Sequence, residues 1–167
     1  MLSKGYPATP HVRFMTGQDR PSVVAILEAT SEFNPVEVSV AVEIIDSYLS
    51  DPDGSGYNVL IAELDSLIVG YVCYGPTPLT SGTWDMYWLA VSPEFKQRDV
   101  GSALLKAAES KIEAQGGRLI LIETSSKPEY EITRRFHLSQ GYAEIGRIPD
   151  FYASGDDKVI YRKVIRT

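Results

Sequence analysis

The chain has 167 residues, 44% hydrophobic and 23% charged, which is enough for one domain with its own core. Its 22 Asp+Glu against 16 Lys+Arg give a formal net charge of −6, which excludes a general nucleic-acid binder with a broad basic face. The single cysteine, Cys73, excludes a disulfide framework and a Cys-rich metal site, and the two histidines, His11 and His137, lack metal-ligand spacing.

No apolar run reaches the ~18 residues of a membrane span. The start, Met1 to Pro7, lacks the apolar core of a signal peptide. The expectation is a cytoplasmic protein with no membrane, nucleic-acid or metal partner. Residues 1–10, with Pro7 and Pro10, read as a loose lead-in. No repeat or Gly/Ser linker divides the remainder, so residues 11–167 read as a single domain.

His11–Thr16 alternates weakly and is a first strand. Asp19 is the expected N-cap of a helix whose first turn takes Pro21, because the missing N–H has no partner there. Asn34-Pro35 opens the next segment, 36–49, where strand and helix periods compete. Its length and the Asn34 cap with Glu37 behind it favour helix. Tyr57–Leu64 and Leu67–Tyr74 are β-rich and joined by Asp65-Ser66, a hairpin pattern. Thr83–Val91 is a long aromatic-rich strand. Val100–Ala114 is the clearest helix, with Val100, Leu104, Ala108 and Ile112 on one i, i+4 ridge and Gly116-Gly117 ending it. Arg118–Glu123 is a nearly continuous apolar strand, as in a sheet covered on both faces. Ser126-Lys127-Pro128-Glu129 is a capping-box pattern for a last helix that Gly141 closes. Tyr142–Ile148 and Lys158–Val164 are two final strands around a loop at 149–157.

A strand–helix–strand unit therefore sits at the centre, and a right-handed crossover makes its two strands parallel. The fold class is α/β, with a mixed, mostly antiparallel sheet of about seven strands and helices on both faces.

The stretch from Ser92 to Leu105 carries the chemistry. A strand that runs through a small-residue turn into a helix presents backbone N–H groups and a helix dipole to an anion. Lys96 and Arg98 add positive charge there. The competing reading is a plain strand–helix turn with a solvated basic tip. No Gly-x-Gly-x-x-Gly and no Gly-Lys-Ser/Thr is present, which disfavours a dinucleotide fold or a P-loop.

Leu89-Ala90-Val91-Ser92-Pro93-Glu94-Phe95, the turn from Lys96 to Ala103, and Phe136-His137 followed by Gly141-Tyr142 together resemble the GNAT N-acetyltransferase superfamily. The resemblance covers roughly residues 10–165 in element order and 84–142 in motif. It implies a central parallel pair that splays, with pantetheine in the resulting V. It further implies that Leu89, Ala90 and Val91 offer strand backbone to the pantetheine amides. The amides of Lys96, Gln97, Arg98, Asp99, Val100, Gly101 and Ser102 would hold the pyrophosphate of acetyl-CoA. Gly101 matches the second signature glycine. Lys96 stands where Gln or Arg is usual, and Asp99 where the first glycine is usual. Aspartate tolerates left-handed backbone angles, so the loop shape is expected to survive.

Acetyl transfer needs a deprotonated amine, a polarised thioester and a proton for the departing thiolate. Asp85 lies on the central strand, on one face with Tyr87 and Leu89. The resemblance puts it where histone-type members carry a glutamate base. The alternative is a strand-edge aspartate that pairs with a neighbour or binds a cation. Glu123 is the second candidate base. His137 stands where the family often has a tyrosine acid, and it is either that acid or a packing residue. Tyr130 stands where the family often has an asparagine that contacts CoA. Arg134 and Arg135 read as surface arginines. Cys73, inside a strand with no histidine near in sequence, reads as a buried inert thiol.

The aromatic candidates for an acceptor wall are Phe33, Tyr48, Trp84, Tyr87, Trp88, Phe151 and Tyr152. Tyr87, Phe151 and Tyr152 are the expected substrate contacts, the last two in an acidic-aromatic loop, 150–157, suited to a cationic amine. The favoured function is direct transfer of acetyl from acetyl-CoA to a small-molecule or peptide amine. The rival is a non-catalytic acyl-CoA sensor of the same fold, and a third reading is an unrelated α/β nucleotide-binding domain. A homodimer is compatible with all three.

Overall fold

A computed structural model describes residues 8–96 and 98–166. Its strands are β1 (His11–Phe14), β2 (Asn58–Leu64), β3 (Leu67–Pro76), β4 (Thr83–Val91), β5 (Leu119–Ser125), β6 (Ala143–Ala153) and β7 (Asp156–Val164). Its helices are α1 (Arg20–Ala29), α2 (Pro35–Ser50), α3 (Val100–Ala114) and α4 (Glu131–Ser139). The strands follow the order β1-β2-β3-β4-β5-β7-β6, mostly antiparallel, with β4 and β5 parallel. This is the mixed α/β architecture expected from the element order. Residues 8–10 have no regular structure, and Met1 to Pro7 lie outside the described residues. No helix among the described residues is long and apolar enough to cross a membrane.

The chain divides into two compact units. One takes the chain up to Cys73 together with Trp88–Ala108. The other takes Tyr74–Tyr87 and the chain from Glu109 onward.

In the first unit local chemistry explains most boundaries. Asn34 accepts a hydrogen bond from the Glu37 N–H at 2.9 Å, and the Glu37 carboxylate takes the Asn34 N–H at 2.7 Å. This reciprocal cap settles the competition between periods in favour of α2. Asp65 and Ser66 both have positive φ, 48° and 65°, the backbone that a two-residue hairpin between β2 and β3 demands. Asp19 departs from expectation. It makes no side-chain cap on α1. Its carboxylate accepts from the Thr16 N–H and both terminal nitrogens of Arg13, at 2.7–2.9 Å. That pairing, Arg13 foremost, holds the buried Asp19 carboxyl below its usual range. A partner on β1 outcompetes the cap because the bidentate charge-assisted bond is the stronger one.

The core of this unit packs α1 and α2 against one side of the sheet. Ile26, Leu27, Ala41, Ile45 and Tyr48 meet Val59, Ile61, Tyr71, Cys73 and Ala90. The other side of β3 is covered by α3, where Gly70 lies against Val100 and Leu104. Helices therefore cover both faces of β3, as predicted.

In the second unit, β4 and β5 pair in parallel from Thr83↔Leu119 to Met86↔Ile122. β5 pairs with β7 from Leu119↔Val164 to Ser125↔Lys158. Gly141, at φ 89°, ends α4 as expected. The predicted capping box at Ser126 does not form, and a short 3-10 turn, Pro128–Tyr130, precedes α4. Ser126 is engaged elsewhere: its N–H donates to the Asp157 carbonyl, and its hydroxyl accepts the Asp157 N–H. The expected loop at 149–157 is also corrected. β6 runs on to Ala153 with irregular register after Ile148, and only a tight turn separates it from β7. Pro149 is tolerated there because β6 is the edge strand.

Candidate functional site

The turn between β4 and α3 is built from local bonds. The Ser92 N–H donates to the Val69 carbonyl at 2.8 Å, which ties the end of β4 to β3. Pro93–Phe95 forms a 3-10 turn closed by the Phe95 N–H on the Ser92 carbonyl. Asp99 then takes φ 56°, in the left-handed region. Its carbonyl accepts the Ala103 N–H at 2.9 Å, the first bond of the helical ladder. An ordinary L-residue resists this angle, and aspartate is among the few that adopt it. The aspartate thus supplies the backbone step for which glycine would otherwise be used. Gln97 lies outside the described residues.

The first N–H groups of α3 have no acceptor within the helix by construction. Such groups, together with the helix dipole, are the kind of feature on which anion sites are built. Lys96 lies at this turn, 3.6 Å from Glu32 and half-exposed, and the Arg98 guanidinium lies 5.9 Å from the centre of the Phe95 ring. Leu89 and Val91 are half-buried, and Ala90 is in the core. Phe33 and Trp88 meet edge to face at 5.3 Å.

The second unit holds the titratable candidates. Asp85, half-buried on β4, accepts a 2.7 Å hydrogen bond from the Thr77 hydroxyl. That bond engages one of the two carboxylate oxygens. Glu123 is exposed and ion-paired with Lys158 at 2.7 Å, and the Lys158 ammonium rests 3.8 Å from the centre of the Phe151 ring. Lys158 occupies the Glu123 carboxylate, whereas Asp85 meets only a neutral hydroxyl among the described residues, so Asp85 is the better candidate of the two. Tyr87 is exposed on β4, and Tyr130 ends the short turn before α4. Phe151 and Tyr152 are half-exposed and meet edge to face at 5.0 Å.

The acids of the 150–157 segment serve the hairpin. The Asp157 carboxylate takes the Asp150 N–H, and the Asp150 carboxylate takes the Gly155 N–H. Buried Asp156 accepts from the Ser125 hydroxyl and lies 3.7 Å from the Lys127 ammonium. These bonds are those of a capped turn, the alternative to an acidic loop open to a cationic amine. Arg134 likewise donates to the Ser125 and Lys127 carbonyls, both at 2.8 Å, and anchors α4 to the end of β5.

The surroundings of His137 favour the packing reading over the acid. His137 is buried beside Phe136, Tyr142 and Tyr161, with ring centres 5.7–6.2 Å away, and its Nδ1 has no hydrogen-bond partner. Burial pushes its pKa down to about 4. A general acid works best with a pKa near the working pH, and His137 carries no imidazolium proton to give at neutral pH. Its packing reading wins. The signal was in the sequence only as the apolar flank Phe136 and Leu138.

This has a measurable consequence for stability. The folded pKa of about 4 lies below the unfolded value of about 6.5, so the unfolded chain binds the proton first as pH falls. Stability owed to neutral His137 is complete above about pH 6.5 and declines between about pH 6.5 and 4, by about 3 kcal/mol in all. Urea unfolding across that window is expected to show this slope, and His137→Phe is expected to flatten it. An unchanged slope in the variant would place the acid sensitivity elsewhere.

Cys73 and Tyr142 complete the inventory. Cys73 is buried and desolvation raises its thiol pKa, so a thiolate nucleophile is disfavoured. Tyr142 is buried, and its hydroxyl donates to Glu109 at 3.0 Å. Among the described residues no group of three or more His, Cys, Asp or Glu could hold a metal.

A sequence model for the acetyltransferase (GNAT) family matches residues 23–142, more than half of the chain. The chain belongs to the GNAT family. A solved GNAT-family structure from Desulfovibrio desulfuricans, assigned as an acetyltransferase, is 39% identical, with a TM-score of 0.89 over 93% of this chain and 99% of that one. An uncharacterised N-acetyltransferase of Methanocaldococcus jannaschii is 28% identical over 104 residues, 62% of this chain and 64% of that protein. The match thus spans less than two thirds of that relative. The PaiA N-acetyltransferase of Thermoplasma acidophilum, solved with coenzyme A, shares the fold at a TM-score of 0.74 and 13% identity, over 93% and 99% of the two chains. For this GNAT protein the β4–α3 turn is the segment on which family motif and geometry meet.

Proposed function

We propose that this GNAT protein moves an acetyl group from acetyl-CoA to a primary amine by direct transfer, with residues 11–167 acting as one acetyltransferase domain. The observation that carries the reading is the β4–α3 turn, in which Asp99 takes φ 56° ahead of the first turn of α3. Backbone at Leu89, Ala90 and Val91 pairs with pantetheine. Amides from Lys96 through Gln97, Arg98, Asp99, Val100 and Gly101 to Ser102 hold the pyrophosphate, and Tyr130 contacts the CoA tail.

Asp85 takes a proton from the ammonium, directly or through water. The free amine has an ordinary pKa near 10.4, so this step is needed at neutral pH. The amine nitrogen attacks the thioester carbon, a backbone N–H near Val91 stabilises the developing oxyanion, and the C–S bond breaks as the C–N bond forms, the nitrogen losing its second proton to water. The thiolate takes its proton from solvent, because burial keeps the His137 imidazole uncharged at neutral pH. The state of Cys73 supports direct transfer over a cysteine-bound acyl intermediate.

The test mixes the purified protein with acetyl-CoA and a panel of amines and follows free thiol. Release that depends on a particular amine supports the enzyme. Tight CoA binding with no release across the panel supports the rival acyl-CoA sensor, and no CoA binding removes both.

Asp99 offers a second check. Glycine adopts the left-handed angle without the cost, about 1 kcal/mol, that a side chain incurs there. It also removes a negative charge from a phosphate-binding turn. Asp99→Gly is therefore expected to tighten acetyl-CoA binding several-fold by calorimetry. Weaker or unchanged affinity would count against the assigned pyrophosphate site.

A further inference from the structure

One face of the sheet in the second unit is closed and the other is open. Ile120, Ile122, Val159 and Tyr161 are buried on the first. On the second, register places Asp85 of β4 beside Leu121 of β5, and Leu121 beside Arg162 of β7. Paired residues on neighbouring strands share a face. Asp85 and Leu121 are half-buried there, and Arg162 is exposed.

The charges on this face are not alike. Glu123 and Lys158 answer one another at 2.7 Å. Asp85 is held by the neutral Thr77 hydroxyl and makes no ion pair among the described residues. The Arg162 guanidinium makes no hydrogen bond or ion pair among the described residues. Two strand spacings separate the two Cα atoms, roughly 10 Å. Leu121 fills the space between, so the row reads acid, apolar, base. A ligand with an ammonium at one end, an aliphatic middle and an anion at the other is its complement.

We infer that the acceptor is a carboxylate-bearing amine of about lysine's length, with its amine at Asp85 and its carboxylate on Arg162. The assignment deepens the acetyltransferase reading and rests on it. Arg162 sets specificity: its planar fork suits a carboxylate, and it takes no part in proton transfer. Leu121 lies against the methylene chain. An acceptor without the carboxylate leaves the guanidinium unanswered and gains only the amine contact.

Matched pairs of amines isolate the carboxylate. Lysine differs from cadaverine, and ornithine from putrescine, by that group alone. Lysine is expected to show a kcat/KM at least tenfold above that of cadaverine. Arg162→Gln is expected to raise KM for lysine about ten- to hundredfold, from loss of a charged hydrogen bond. The variant should leave cadaverine turnover and acetyl-CoA affinity within twofold, and Arg162→Lys should recover part of the loss. Equal kcat/KM for both members of each pair, unmoved by Arg162→Gln, would overturn the assignment and leave the enzyme reading standing. No thiol release with any amine, although acetyl-CoA binds, would overturn the enzyme reading and this inference with it.

Discussion

Asp85→Asn is expected to lower turnover at neutral pH about a hundredfold or more, with acetyl-CoA affinity within about twofold. The substitution is nearly isosteric. The asparagine carbonyl can still accept the Thr77 hydroxyl that Asp85 accepts at 2.7 Å, so the local geometry survives. What is lost is the proposed base. An amide does not take a proton from an ammonium, and the reaction must then wait for the small fraction of free amine in solution. That fraction grows tenfold per pH unit below the amine's pKa of about 10.4. The variant's rate should climb with pH toward that of the wild type, and steady-state thiol release from pH 7 to 10 measures the climb. Undiminished turnover at pH 7 would remove Asp85 from proton transfer. It would leave the task to water, because Glu123 is engaged by Lys158.

Gly70→Val is expected to be the most damaging single change in the first unit, at about 3 kcal/mol or more of folding stability. A Cβ at Gly70 would lie 3.0 Å from the Ala90 carbonyl oxygen, 3.0 Å from Leu104 and 3.1 Å from Val100. One of these obstacles is backbone and the others are buried side chains, so none yields cheaply. The position also bears on function, since Ala90 lies near the end of β4 and Val100 opens α3. Forcing them from β3 would displace the turn proposed to hold the pyrophosphate. Chemical denaturation should report the loss of stability, and acetyl-CoA affinity should fall even where the variant remains folded. A variant as stable as wild type would mean that the helix can retreat from the sheet at no cost.

Much of this protein is written in short-range chemistry. The Asn34–Glu37 cap, the Asp65-Ser66 hairpin and the i, i+4 ridge of α3 each involve residues at most a few positions apart. All are read correctly from the sequence. The family resemblance draws on the same kind of signal, because the β4–α3 turn is one contiguous stretch. Misreadings arose where a partner outside the helix competes for a side chain. Asp19 and Ser126 both look like caps, and each is taken by a residue from another strand, Arg13 and Asp157. The acidic-aromatic loop became strand because β7 pairs with β6 on both sides of it, at Ile148↔Lys158 and Ala153↔Asp156.

The sequence by itself determined the element order, the α/β class and the family, and it singled out the β4–α3 segment that we propose meets the cofactor. These follow from periodicity and from neighbours in the chain. Only the tertiary structure decided the electrostatic state of the candidate residues. Burial keeps His137 neutral, Lys158 neutralises Glu123, and strand register puts Arg162 in one row with Asp85. Solvent exposure and charge pairing depend on groups far apart in the chain, and no local pattern encodes them. The opening net charge of −6 was therefore a poor guide to the site, where the charges that matter are the few the fold leaves unanswered.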